Sequence, residues 1–416
     1  MTSGLIKIET AMPHTPSFDT IVIGLGAMGS ASLLQLAHRG QRVLGIDRYD
    51  PPHSLGSTHG ETRITRCAIG EGEAYVPLVL RSHEIWRELE AETGLDLLTQ
   101  SGALIMAGAD TTAVVHGKPN FVGATIAAAR RYNIAHDILD ADAVMRRFPQ
   151  FRLRGDERAY FEPGGGFVRP ENCVAAQLML ARRAGATIRT ETQVTAIDKD
   201  GAGVRVTTAD GTRFFAAEAV LAAGAWSPGL SGATLSPRMA ATRQVLHWFE
   251  ADDPNAFAAD RCPVFIWTHG DAAEEGFYGF PIPHGGAGVK VAMEQYHAAV
   301  PDPDHIKREI DPAEPATMFA DHVAGRLAGI RPIPLKSAVC LYTMTPDGDF
   351  LVARAPENDR VLLVSACSGH GFKHSAGLGE AVAQTIVDRA TPALLRPFSA
   401  DRFSQTPTDR LAIFAA

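Results

Sequence analysis

The sequence predicts an α/β protein in which a Rossmann-like nucleotide-binding domain is combined with a second, α+β domain built on a mixed, largely antiparallel sheet. Three observations predict this fold class. The chain has 416 residues, which exceeds the roughly 100 to 200 residues of a typical single domain. Residues 18–50 have the pattern of strand, glycine turn, helix and strand, and residues 243–294 contain aromatic strands separated by glycine turns.

The segment FDTIVIGLGAMGSASLLQLAHRGQRVLGIDRYD forms a complete βαβ unit. Residues 20–23 are rich in β-branched side chains, as in a strand that is buried on both faces. Residues 31–38 have a helical pattern that ends at Gly40, and residues 42–46 form a second strand. We therefore predict two parallel strands joined by one helix, with a glycine-rich turn at the start of the helix.

The glycine turn and the acid after the second strand predict a dinucleotide site. Gly24 permits the tight turn, Gly26 lets the backbone approach a pyrophosphate, and Gly29 lets helix and strand pack closely. Asp47 follows Gly24 by 47 − 24 = 23 positions, close to the ~20 expected for an acid that binds ribose hydroxyls. A carboxylate there disfavours a 2′-phosphate, but the pattern does not distinguish NAD from FAD.

Composition and charge exclude several classes of function. The formal net charge is −8, which leaves no basic surface for nucleic acid. No apolar run approaches the ~20 residues that cross a bilayer. The five cysteines contain no CxxC pair, so we expect neither a disulfide framework nor a metal site, and we predict a cytoplasmic protein. Residues 1–17 lack a signal-peptide pattern and are predicted to be a flexible arm.

The sequence after Asp47 does not continue with further βα units. Pro51 and Pro52 break regular structure, and the glycines from 56 to 60 can approach a flat cofactor. Arg63 and Arg66 follow. On a helix their spacing of three would place both on one face, so that one site receives two positive charges.

Several separated motifs resemble the family of monomeric sarcosine oxidase and N-methyltryptophan oxidase. These motifs are HGETRITR with GEGEAYVPLVLR, CLYTMTPDGDF, and CSGHGFKHSAGLGE, and the resemblance extends from about residue 18 to 403. It implies a glutathione-reductase-type FAD-binding domain interleaved with a substrate domain. It also implies oxidation of a secondary amino acid to an imine, with O2 reduced to H2O2.

On this resemblance we assign residues 18–99, 161–240 and 347–416 to the FAD-binding domain, and residues 100–160 and 241–346 to the substrate domain. We predict one set of residues that contact FAD: Gly24, Gly26, Gly29, Asp47, Arg48, Ser57, Thr58, Arg63, Val194, Gly224, Cys340, Gly369, His370, Gly371 and Lys373.

Lys290 lies in the apolar strand GGAGVKVAM, where an ammonium is costly without a partner. The resemblance implies that it lies over the flavin ring and activates oxygen, because a fixed cation stabilises the negative charge that develops on O2. Four residues later stands Glu294, where the family pattern has a histidine. A carboxylate there either favours a more cationic substrate or faces away from the site.

Cys340 alternates with Val339 and Leu341 in a strand-like stretch, so the residues alone favour a buried, inert thiol. The resemblance implies instead that its sulfur carries FAD through a thioether to the 8α-methyl group. Tyr342 lies two positions later, on the same strand face, and is predicted to line the substrate pocket.

The motif SGHGFK follows the strand RVLLVSA and precedes a helix. Its loop N–H groups suit the flavin carbonyls or ribityl chain. Lys373 together with Arg66 is predicted to bind a substrate carboxylate. His370 is either a flavin neighbour or a packed loop histidine.

We therefore predict an FAD-dependent oxidase of a secondary amino acid, with Lys290, Arg66, Lys373 and Tyr342 in the catalytic site. Its partners would be the small-molecule amino acid and O2, and it would be a monomer or small homo-oligomer. Three alternatives remain open: an oxidase of a cyclic imino acid such as pipecolate, a dehydrogenase with another electron acceptor, and a non-catalytic flavin-binding subunit.

Overall fold

The computed structural model describes residues 17–272, 274–296 and 299–403. Nearly all of the predicted N-terminal arm, and residues 404–416 of the predicted FAD-binding domain, lie outside this part of the chain. The α-helices are Ala27–His38, Val76–Thr93, Phe121–Arg131, Ala141–Arg147, Pro170–Arg183, Gly232–Leu235, Ala313–Met318 and Ser375–Asp388. Within the described ranges no helix combines the length and the apolar character needed to cross a membrane.

The first of two large sheets has eight strands and contains the predicted βαβ unit. In spatial order its strands are Thr187–Arg189, Val43–Ile46, Phe18–Ile23, Arg213–Leu221, Gly203–Thr208 and Val194–Asp200, and Asn358–Ser365 joins Arg213–Leu221 and Leu351–Ala355. The neighbours of Phe18–Ile23 both run parallel to it. This is the doubly wound arrangement that places a ligand at the carboxyl ends of the central strands.

Helices cover one face of the first sheet because its strands are apolar on both sides. Ala27–His38 packs against Pro170–Arg183 and Ser375–Asp388. A Cβ added to Gly379 would lie 2.5 Å from Ala31 Cβ, so only glycine permits this helix approach. The C-terminal helix is thereby held against the N-terminal βαβ unit.

The second sheet has nine strands and is antiparallel except where Val264–Thr268 pairs with Ala103–Gly108. Its order is Ala299–Val300, Ala240–Ala251, Val289–Ala292, Gly276–Phe280, Val264–Thr268, Ala103–Gly108, Glu157–Glu162 and Asp137–Asp140, with Ile330–Met344 also paired to Ala240–Ala251. The predicted α/β class with a largely antiparallel second sheet is confirmed.

The fold also contains two smaller sheets. Arg63–Thr65, Gly166–Val168 and Leu98–Thr99 form a three-stranded sheet, and Val114–Val115 pairs with Lys118–Pro119 in a hairpin. The strands of each large sheet come from separate parts of the chain. We therefore keep the interleaved domain boundaries given above as a proposal. Glu157–Glu162 and Ala240–Ala251 cross those boundaries slightly.

Candidate active site

A cavity of about 430 Å³, here called the first cavity, lies at the carboxyl ends of the parallel strands. Most of the residues predicted to contact the cofactor line it: Gly24, Gly26, Asp47, Arg48, Ser57, Thr58, Arg63, Val194, Gly224, Gly369 and Gly371. They come from four separate parts of the chain, and the fold brings them together because the central strands all end at this edge.

The glycines have the geometry that the fingerprint predicts. Gly24 has φ +84°, which favours glycine. A Cβ on Gly29 would lie 1.7 Å from the Gly24 carbonyl oxygen, so this glycine permits close packing of helix and strand, and it does not line the cavity. A Cβ on Gly224 would meet nothing within 4 Å. The first cavity therefore has open space beside the backbone of Gly224.

Asp47 and Arg48 lie at the end of the second parallel strand. The Asp47 carboxylate accepts hydrogen bonds from the backbone N–H groups of Leu25, at 2.6 Å, and Tyr49, at 2.8 Å. The Arg48 guanidinium donates to both oxygens of Asp304, at 2.7 and 2.8 Å. Asp304 comes from the region between the strands of the second sheet, so this ion pair joins the two halves at the cavity wall.

Arg63 and Arg66 do not share a helix face. Arg63 begins the strand Arg63–Thr65, and Arg66 follows it. Residues three apart in an extended chain point to opposite sides, so the two guanidinium groups have different partners, although both side chains line one cavity. The Arg63 guanidinium donates to the Ser57 carbonyl at 2.8 Å, whereas Arg66 pairs with Glu71.

Cys340 lies in the strand Ile330–Met344, beside the first cavity rather than in its wall. Its thiol donates to the Ser57 carbonyl at 3.5 Å, and the Arg63 Nη2 lies 3.6 Å from the sulfur. Burial raises the pKa of this thiol, although the Arg63 charge opposes the shift. Ser57 and Arg63, which line the first cavity, thus separate the sulfur from it. The positive charge of Arg63 stabilises a thiolate at this position.

A second cavity of about 120 Å³ adjoins the first, and Arg63, Tyr342, Gly369 and Phe372 line both. Three further predicted residues, Arg66, His370 and Lys373, line only the second cavity. The Tyr342 hydroxyl lies 3.2 Å from the Tyr278 hydroxyl.

Glu71 joins the two cations that were predicted to bind a substrate carboxylate. Its carboxylate lies 2.7 Å from Arg66 Nη2 and 3.1 Å from Lys373 Nζ, and all three groups are buried. Burial alone would raise the pKa of Glu71, but Arg66 and Lys373 together hold it well below its ordinary value. Burial lowers the pKa of Lys373 to about 8, against the attraction of Glu71. The site thus has one more positive than negative charge among these groups when Lys373 is protonated.

Glu294 lines the second cavity and does not face away from it. Its Oε1 lies 3.2 Å from His116 Nε2, and its Oε2 accepts a hydrogen bond from the Tyr296 hydroxyl. Burial and the nearby charge of Glu71 raise the pKa of Glu294 to about 8.

Lys290 is buried, 2% exposed, and lines neither cavity. Its Nζ donates to the carbonyls of Gly60, at 2.9 Å, and Thr62, at 2.6 Å. The Nζ also lies 3.8 Å from the centroid of the Phe280 ring. Burial, reinforced by the Arg63 charge, lowers the pKa of Lys290 well below its ordinary value.

His370 packs against the loop that precedes the strand Leu351–Ala355 and also lines the second cavity. Its Nε2 lies 3.0 Å from the Gly348 carbonyl, and its ring stacks on Phe350 with centroids 5.1 Å apart. Burial lowers the pKa of His370 well below its ordinary value, so the ring is neutral.

Residues 19–385 match the protein family described as FAD dependent oxidoreductase. This chain belongs to that family. Curated relatives extend the match over almost the whole length: a monomeric sarcosine oxidase from Streptomyces avermitilis is 37% identical over 94% of this chain and 100% of that protein. An N-methyl-L-tryptophan oxidase from Yersinia pestis is 35% identical over 93% of this chain and 99% of that protein. This FAD-dependent amine oxidoreductase is therefore similar to both branches of the predicted group.

Solved structures agree with the fold of this FAD-dependent oxidoreductase. NikD, an amino acid oxidase essential for nikkomycin biosynthesis, superposes with a TM-score of 0.78 at 24% identity, over 92% of this chain and 98% of NikD. An L-proline dehydrogenase from P. horikoshii superposes with a TM-score of 0.77 at 19% identity, over 94% of this chain and 99% of the dehydrogenase.

The first cavity fits the FAD of this family. The glycine turn leaves backbone N–H groups at the start of Ala27–His38, where a pyrophosphate is stabilised. The open space beside Gly224 and the partly buried Arg63 side chain belong to the wall of the same cavity. Among the described residues, no group of three or more His, Cys, Asp or Glu side chains is arranged to hold a metal ion.

Glu71, His116, Tyr278 and Tyr296 line the second cavity and were not predicted as site residues from the sequence. Glu71 lies in GEGE, five positions after Arg66, and that acidic residue between glycines was the available signal. His116 had no local signal, because it reaches the second cavity from the hairpin of residues 114–119.

Proposed function

We propose that this protein oxidises N-methyl amino acids to imines, with O2 as the electron acceptor and H2O2 as the second product. The observation that carries the proposal is a buried pair of cations, Arg66 and Lys373, in a cavity that shares four lining residues with the first cavity. The names of the curated relatives support the same substrate class.

The residues of the second cavity bind and orient the substrate. When bound, FAD supplies the chemistry of accepting a hydride from the carbon beside the amine. The Arg66 Nε is buried and has no hydrogen-bond partner among the described residues, so it can donate to a substrate carboxylate while Nη2 stays on Glu71. Lys373 has one N–H left after its contacts with Glu71 and the His370 carbonyl. Tyr342 and Phe372, which line both cavities, limit the space around the reacting carbon.

The predicted FAD contacts and the covalent bond are part of the proposal. The residues that line the first cavity would hold the dinucleotide, and Cys340 would carry the flavin through a thioether. Support for the bond comes from the sulfur's position, within reach of both Ser57 and Arg63, which line that cavity. We also propose that the protein acts in the cytoplasm as a monomer, as the word monomeric in its relatives' names suggests.

The test is a panel of secondary amino acids assayed for peroxide with the purified holoenzyme. Sarcosine, N-methyl-L-tryptophan and pipecolate distinguish a small, a large and a cyclic substrate. We expect peroxide with at least one N-methyl amino acid. If only pipecolate reacts, the cyclic alternative replaces this proposal, and if reduction occurs only with an artificial acceptor, the protein is a dehydrogenase.

Arg66→Lys is expected to weaken binding of the substrate carboxylate. Lysine keeps the positive charge beside Glu71 but lacks the second N–H donor of the guanidinium, which would bind the substrate carboxylate. Hydrogen bonds between charged groups contribute about 1.5–3 kcal/mol, so kcat/KM for an N-methyl amino acid should fall by about 10- to 100-fold. Steady-state peroxide assays measure the change.

An N-methyl amine without a carboxylate should lose much less activity in Arg66→Lys than the amino acid does. Arg131→Lys is the matched control, since Arg131 is 66% exposed and pairs with Glu73 on the surface. Equal losses for both substrates would contradict carboxylate binding by Arg66.

A further inference from the structure

Glu294 lies where the two cavities meet. A Cβ built on Gly369, which lines both cavities, would be 3.1 Å from Glu294 Oε1 and 3.0 Å from Tyr342 Cε2. A substrate whose carboxylate binds Arg66 and Lys373 has its amine nitrogen only two bonds from the carboxylate carbon, so the nitrogen stays close to the residues of the second cavity. Glu294 is therefore a carboxyl group near the reacting carbon–nitrogen bond, and it is not one of the groups that bind the substrate carboxylate.

A secondary amino acid enters from neutral water as an ammonium ion, because alkyl ammonium groups have pKa values of about 10. A hydride leaves the adjacent carbon only when the nitrogen lone pair is free to form the imine. One proton must therefore leave the nitrogen first, and when the ammonium form binds, a group in the cavity has to accept it.

The titratable groups that face Glu294 come from several elements: Glu71, His116, Tyr278, Tyr296, Tyr342 and Lys373. None of the others suits a proton acceptor at neutral pH. Glu71 is held ionised between two cations, and burial lowers the pKa of His116 to about 4. Tyrosine hydroxyls are protonated in this range, and Lys373 donates hydrogen bonds to Glu71 and to the His370 carbonyl, which requires its protons.

We propose that Glu294 accepts the proton from the secondary ammonium of the bound substrate. The inference rests on the proposed function, since it requires a secondary amine in the second cavity. The N–H bond breaks, its electron pair stays on nitrogen, and an O–H bond forms on Glu294, so no electrons leave the substrate in this step. His116 Nε2 lies 3.2 Å from Oε1, so a neutral His116 with its proton on Nε2 donates a hydrogen bond to the ionised carboxylate before the transfer.

The electrostatic surroundings agree with this role. A general base works best when its pKa lies near the operating pH, and burial together with Glu71 raises the pKa of Glu294 to about 8. The base is the ionised carboxylate, which is lost as the pH falls through that pKa. The acidic limb of the activity should therefore lie near pH 8, and loss of the Lys373 charge, whose pKa burial also lowers to about 8, should give an alkaline limb.

The experiment measures the pH dependence of kcat/KM for a reactive N-methyl amino acid in the native holoenzyme and in Glu294→Gln. We expect the native acidic limb near pH 8. Without the carboxylate the limb should move toward the ammonium pKa of about 10, with a loss of about 100-fold at neutral pH. A second substrate, with an electron-withdrawing N-substituent that makes its amine largely neutral at pH 7, should lose less than about tenfold.

Glu309→Gln makes the same chemical change at an exposed carboxylate and should keep the native profile. Should Glu294→Gln fail to fold, the native enzyme alone decides: an acidic limb that follows the amine's own pKa overturns the inference. Equal losses with the basic and the weakly basic amine in Glu294→Gln also overturn it. A native enzyme that oxidises no secondary amine refutes instead the proposed function.

Discussion

Lys290→Met is expected to slow the reaction of the reduced enzyme with O2 by about 100- to 1,000-fold, the usual effect of removing one charge-stabilising group. The first electron transfer to O2 creates a negative charge, and a buried ammonium stabilises it. Burial and Arg63 lower the pKa of Lys290, but a new negative charge nearby favours the protonated form again. The anaerobic rate of flavin reduction should change by less than about tenfold, because hydride transfer creates no charge on oxygen.

Rapid-mixing absorbance measurements separate the two half-reactions. Lys336→Met is the matched control: Lys336 Nζ lies 4.5 Å from the Trp248 ring centroid, and Lys290 Nζ lies 5.7 Å from the same ring, yet Lys336 is exposed and pairs with Glu61. If Lys290→Met slows reduction and oxidation equally, Lys290 supports the structure around Gly60 and Thr62 and does not activate O2.

Cys340→Ala is expected to abolish covalent flavin attachment completely. After denaturation, the native protein should show flavin fluorescence on the protein band, and the variant should release all of its yellow pigment into acid supernatant. The physical reason is the position of the sulfur, 3.5 Å from the Ser57 carbonyl. The Arg63 charge also favours the reactive thiolate, because it opposes the rise in the Cys340 pKa that burial causes.

Cys367→Ala provides the matched control for Cys340→Ala. Cys367 lines the first cavity, so it is the described cysteine that offers a competing point of attachment, and its replacement should leave the flavin bound. Loss of attachment in Cys367→Ala, or retention in Cys340→Ala, would show that Cys340 is the buried, inert thiol that its strand context favours.

The fold was predictable where the relevant signals are close in sequence. Strand, glycine turn, helix, strand and Asp47 all lie within residues 18–50, and local steric rules relate each to its structure. The aromatic segments of residues 243–294 form antiparallel strands for the same reason. By contrast, the helical interpretation of Arg63 and Arg66 was wrong, because pairing with Gly166–Val168 holds Arg63–Thr65 in a strand.

The site was predictable only in part. The first cavity gathers most of the residues predicted to contact the cofactor, and Arg66 and Lys373 both pair with the Glu71 carboxylate. Their shared partner Glu71 was missed, because a buried cation pair needs an anion but the sequence does not say which one is near. The roles of all these residues stay predictions until the variants are measured.

The sequence by itself determined the βαβ unit, the acid of the dinucleotide site and the family to which the motifs belong. Only the tertiary structure decided that Glu294 lines the second cavity, with His116 beside it. It also decided that the Lys290 ammonium packs on the Phe280 ring and lines neither cavity. The physical reason is that backbone preferences act over a few residues. Burial, charge and pKa depend on side chains that are distant in sequence and come together only when the sheets pack.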